Sequence, residues 1–161
     1  SKLLREELSG EPETNAELDI RVTAFIPDGY IESNVARMDC YKEIAEINSI
    51  EAEMEFRTAV ADVYGPLPPE IDALIDIAVV KMLANKFSVK EVVVTLKETR
   101  LIFSDFRVFA DGRLNKAVDK FEGVARISMT GNPAIEFERT EQTSADMLKV
   151  LRAFLLTALE P

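Results

Sequence analysis

The sequence predicts an α+β domain: a three-helix N-terminal half, then a small antiparallel sheet with a short helix and a C-terminal helix. Three observations carry this expectation. Between residues 34 and 86 apolar side chains recur at three- and four-residue spacing, the mark of amphipathic helices. Between residues 91 and 137 they alternate in short runs bounded by turn residues, the mark of strands. The last run returns to helical spacing, with Leu148, Leu151, Leu155 and Leu159 on one stripe.

The elements follow in order. Residues 1–9 resemble the end of a helix, and residues 10–19 (GEPETNAELD) a polar, acidic linker broken by Gly10 and Pro12. That places a boundary after residue 19 and one domain over residues 20–161. Ile20, Val22, Ala24 and Ile26 alternate as a strand would, until Pro27-Asp28-Gly29 stops it. A first helix starts at Ser33 or Asn34 and runs to Ile47, with Met38, Tyr41 and Ile44/Ala45 expected on its inner side. Asn48 or Ser49 caps a second helix, whose first turn holds Glu51 and Glu53, where carboxylates favour the helix dipole. Phe56, Val60 and Val63/Tyr64 are its expected inner stripe, and Glu55 and Asp62 share another face. Gly65 can take the positive φ that ends a helix, and Pro66 forbids continuation.

Pro68-Pro69 opens a third helix. Ile71, Leu74, Ile75, Ala78 and Met82 form its stripe, and Ile77, Val79, Val80 and Leu83 widen it until it reads as the centre of the fold. Glu91–Leu96 and Arg100–Ser104 read as strands around Lys97-Glu98-Thr99. Asp111-Gly112 is a turn before a short helix over Arg113–Phe121. Ala125–Met129 and Ile135–Phe137 form a hairpin across Gly131-Asn132-Pro133. Thr143 and Asp146 cap the final helix, which Met147, Val150 and Phe154 broaden towards the sheet.

The chain carries 47% hydrophobic and 30% charged residues over 161 positions, enough for a core without staples. No apolar run has the length of a membrane span. The single cysteine, Cys40, suits a reducing, cytoplasmic compartment and reads as a small buried apolar side chain. The net charge is −10, unevenly spread: residues 1–80 hold six Lys/Arg against eighteen Asp/Glu, and residues 81–161 thirteen against eleven. An acidic half repels phosphates, which argues against direct nucleic-acid binding by this piece and for a basic protein partner.

Chemistry is hard to place. With no histidine, neither a Ser-His-Asp triad nor a usual zinc site can form. Six glycines include no phosphate-binding loop, so no cofactor is expected in this domain, and the piece reads as non-catalytic. The carboxylate clusters Glu51/Glu53/Glu55 and Glu136/Glu138 read as solvated surface. Phe103, Phe106 and Phe109, near Arg100 and Arg107, could stack on single strands, but core packing is the better reading.

A family resemblance rests on particular residues. Ile26-Pro27-Asp28-Gly29-Tyr30-Ile31 resembles an IPDDYI signature; Asn34, Arg37, Tyr41-Lys42 and Ile44-Ala45 follow at matching spacing; and Asp62-Val63-Tyr64-Gly65-Pro66-Leu67-Pro68 resembles a D-R-F-G-P-L-P stretch. Leu74, Ala78, Lys81 and Ala84 continue the pattern. Over residues 18–88 the chain resembles the C-terminal domain of the bacterial transcription-repair coupling factor. Gly29, Val63 and Glu53 depart from the pattern, Glu53 where an apolar residue is usual.

The resemblance implies a full-length ATP-dependent double-stranded DNA translocase, with ATP and Mg held in its motor portion. That protein displaces stalled RNA polymerase and recruits UvrA for nucleotide excision repair. The resemblance further implies that this domain packs on the N-terminal UvrB-like module and masks its UvrA-binding surface. Glu55 and Asp62 are the expected charge contacts, and Tyr64 and Pro66 the expected packing edge. The alternative is an autonomous docking module that contacts RNA polymerase or another external protein.

Overall fold

The computed structural model describes residues 15–161. The helix end read over residues 1–9, and the linker up to residue 14, lie outside the described residues. The elements are β1 (Glu17–Ile20), α1 (Asn34–Ala45), α2 (Ile50–Tyr64), α3 (Pro69–Lys86), β2 (Val89–Val94), β3 (Thr99–Phe103), a 3-10 turn (Phe106–Phe109), α4 (Arg113–Lys120), β4 (Ala125–Ser128), β5 (Ala134–Phe137) and α5 (Ser144–Leu159). This is the α+β arrangement expected, with three helices before the sheet hairpins and a long helix at the end.

The five strands form one sheet in the order β1-β2-β3-β5-β4. The β2–β3, β3–β5 and β5–β4 pairs are antiparallel, and β1 joins the edge parallel to β2. A parallel neighbour needs a crossover, and α1, α2 and α3 supply it. In register, Val92, Leu101 and Ile135 share the inner face, as do Val94 and Phe137. Against them lie Ile75, Val79 and Leu83 of α3 and Leu148, Leu151 and Leu155 of α5, all buried. The Phe137 and Phe154 rings meet edge to face at 5.0 Å, a preferred aromatic geometry. On the outer face Arg100, Glu136 and Arg126 are cross-strand neighbours.

Three local expectations change. The first strand covers Glu17–Ile20 rather than residues 20–26. Its partner β2 ends at Val94, whose carbonyl takes the Arg21 N–H at 2.8 Å, so the alternating residues beyond have no ladder to join. In α1 the inward row is Cys40 and Ile44, with Ala36 partly buried, while Met38 is exposed. Tyr41 lies at the surface, where its hydroxyl accepts the Ile26 N–H at 2.8 Å. The inward side of α3 follows Ile71, Ile75, Val79 and Leu83, so that Leu74, Ala78 and Met82 become its flank. A helix packed by two neighbours and a sheet exposes whichever row lies farthest from all three, and hydropathy cannot choose that row.

Candidate protein-interaction face

Helix α2 carries Glu55, Asp62 and Tyr64 of the four residues singled out from the sequence, and Pro66 follows its stop. Ser49 caps it, its hydroxyl accepting the Ala52 N–H at 3.0 Å. At the other end Gly65 has φ +96°, a backbone that favours glycine, and its N–H donates to Ala61 O at 2.8 Å. The inward flank is Glu53, Phe56 and Val60. Successive residues turn by about 100°, so Glu55 and Asp62 point roughly opposite to Glu53. Both are exposed, and neither makes an ion pair among the described residues. Met54 (63% exposed) and Val63 (73% exposed) lie about a quarter turn to either side of them. Val63 therefore leaves the inner stripe where its hydropathy placed it.

Tyr64, two residues past Asp62, points away from this face and meets Tyr30. Its ring lies 5.7 Å from that of Tyr30, tilted by 48°. The Tyr30 hydroxyl donates to Gly65 O at 2.5 Å, tying the Pro27–Tyr30 turn to the end of α2. Burial pushes the Tyr30 hydroxyl up from its ordinary value, with Cys40 and Tyr64 adding to it. Pro66 is exposed just beyond. Glu55, Asp62, Tyr64 and Pro66 thus lie along one accessible helix and its stop, bordered by exposed apolar groups.

The inner flank overturns one reading. Glu53 is not solvated surface: its side chain is 2% exposed. It accepts hydrogen bonds from Arg57 Nε at 2.8 Å and from both terminal nitrogens of Arg152, at 2.6 and 2.5 Å. Asp76 of α3, also 2% exposed, accepts from Arg152 at 3.0 Å and Lys149 at 2.6 Å. Asp72 completes the set, 2.8 Å from both Arg57 and Lys149. Three carboxylates and three cations from α2, α3 and α5 therefore neutralise one another. Burial alone raises the Glu53 carboxyl, but the bonds from Arg152 and Arg57 outweigh it and hold it below the usual carboxylate range. Burial likewise raises Asp72, and Lys149 and Arg57 outweigh it. A signal was available: Glu53 lies three residues before Phe56 and seven before Val60, on the row those apolar residues define.

The other candidates fall to structure. Phe103 is buried and packs edge to face on the partly buried Phe109 at 5.5 Å, as core packing requires, whereas Phe106 is 53% exposed and departs from that expectation. Cys40 is buried, as expected, and burial raises its thiol. Glu136 and Glu138 pair with Arg126 on the outer sheet face. Among the described residues no group of three or more His, Cys, Asp or Glu is placed to hold a metal, and no helix is long and apolar enough to cross a membrane.

A family model described as the TRCF domain matches residues 20–110, more than half of the chain. The chain belongs to that family. Among curated relatives, the transcription-repair-coupling factor of Rickettsia bellii is 29% identical over 85 residues, 53% of this chain. That of Bacillus subtilis is 28% identical over 89 residues, 55% of this chain. The matched region is 8% of the length of either relative. A crystal structure of the C-terminal domain of a transcription-repair coupling factor superposes with a TM-score of 0.79 at 24% identity, covering 91% of this chain and 92% of that one. The whole TRCF-type fold is therefore present, including the sheet and α5, beyond the reach of the sequence motifs.

Proposed function

We propose that this TRCF domain is a non-catalytic regulatory clamp, acting in the cytoplasm within a longer coupling factor. Its outer α2 face docks on the N-terminal UvrB-like module of the same protein and covers the surface that UvrA would bind. The observation that carries this reading is the outer flank of α2: Glu55 and Asp62 exposed and, among the described residues, without ion pairs, with exposed Met54 and Val63 to either side. Acidic groups bordered by apolar side chains suit a partner with basic residues around an apolar centre. Such a contact gives steering and specificity with modest affinity, which a releasable clamp requires.

Under this reading ATP, Mg and the DNA track belong to the motor portion, and RNA polymerase acts through the motor. The test is charge reversal, Glu55→Lys with Asp62→Lys, in the full-length protein. Opening the clamp raises UvrA affinity while the domain stays folded. An unchanged UvrA affinity in a folded variant places the clamp elsewhere. Tight binding of the isolated wild-type domain to RNA polymerase, and none to the N-terminal module, would replace the clamp by the external-docking alternative.

A further inference from the structure

The inner and outer flanks of α2 are joined by one rigid helix, yet α2 is held unlike its neighbours. It buries only Phe56 and Val60 among its apolar side chains, whereas α3 and α5 bury long apolar rows. Beyond a partly buried Ile50 and the Tyr30 contacts at its end, it is held by charge: Glu53 reaches Arg152 of α5, and Arg57 reaches Asp72 and, at 3.4 Å, Asp76 of α3. The set is graded in depth. Glu53 and Asp76 are sealed, while Asp72 and Lys149 meet water at its rim with 34% and 46% of their side chains exposed. A buried carboxylate that loses its cations is strongly disfavoured, so the pairs that Glu53 and Arg57 make with α3 and α5 close or open together, while the Asp72–Lys149, Asp76–Lys149 and Asp76–Arg152 pairs keep α3 on α5.

We propose that Glu53, Arg57, Asp72, Asp76, Lys149 and Arg152 form an electrostatic latch, which makes α2 a lever that opens separately from the sheet and sets the position of its docking flank. Elements with little apolar burial open locally at a lower free energy than the core they sit on. When the latch opens, Phe56 and Val60 lift away from α3, and Glu55 and Asp62 move with them. The latch stands on the helix contacts alone; its bearing on docking rests on the clamp reading above.

Hydrogen exchange read by mass spectrometry on the 161-residue chain tests the latch. In wild type under sub-denaturing urea, α2 amides exchange through a smaller opening than those of β2, β3 and α5. Glu53→Gln removes the charge while keeping the shape; it speeds α2 exchange about tenfold and sheet exchange by no more than that factor, so that α2 still opens first. Glu53→Met with Arg152→Leu replaces the central pair by apolar groups and brings α2 exchange back towards wild type. One shared opening for α2 and the sheet, or an α2 rate indifferent to Glu53→Gln, overturns the proposal.

Affinity for the separated N-terminal module provides the second reading. Glu53→Gln lowers it in proportion to the closed fraction of α2 that the exchange data give. An affinity that does not follow that fraction overturns the positioning role. A wild-type domain that fails to bind the module counts against the clamp, and the exchange data still decide the latch.

Discussion

Glu53 and Glu55 lie two residues apart on one helix and live in opposite worlds. Glu53 is sealed between two arginines, and Glu55 faces water with no ion pair among the described residues. The same contrast separates Asp76 from Asp62. The difference teaches that a run of carboxylates in an acidic half-chain meets two environments. Those on an apolar row are spent on the fold; those opposite stay in water.

Removal of the inner charge has the largest expected effect. Glu53→Ala leaves Arg57 and Arg152 without their shared carboxylate and costs about 3–5 kcal/mol, read from urea unfolding by circular dichroism. Asp76→Ala falls in the same range, because Arg152 and Lys149 both lose a buried partner.

Acid separates the flanks without mutation. The folded-state values of Glu53 and Asp72 lie below their usual ones, so their contribution is complete above the ordinary carboxylate range, near pH 4. It is lost as pH falls through the depressed values. The urea midpoint of wild type therefore drops on acidification below about pH 4, and drops less in Glu53→Met with Arg152→Leu. A midpoint with the same acid dependence in both would remove the inner set from the account.

Smaller effects mark the C-terminal end of α2 and its outer face. Tyr30→Phe deletes the hydrogen bond to Gly65 O and costs about 1 kcal/mol. Smallest of all, Glu55→Lys with Asp62→Lys changes stability by no more than about 0.5 kcal/mol, since both side chains are exposed. A large loss of stability there would erase the contrast between the flanks.

Much of this fold was legible because short-range rules fix it. The caps Ser49 and Thr143, the Gly65-Pro66 stop and the alternation of β3 and β5 depend on neighbours in sequence. Long-range facts were not legible. The parallel place of β1 depends on where β2 ends, and the exposure of Met38 and Val63 depends on which neighbours pack on α1 and α2. The charge set was hidden for a similar reason: Arg152 lies ninety-nine residues from Glu53, and no local pattern links them. Only the position of Glu53 on the Phe56–Val60 row hinted that it needed a distant cation.

The most direct measurement of the clamp is calorimetric titration of this domain with the separated N-terminal module, at low and high salt. The account predicts binding that weakens as salt rises, and a loss of about tenfold or more in Glu55→Lys with Asp62→Lys. Binding that ignores both salt and the double reversal, or no binding at all, would contradict it.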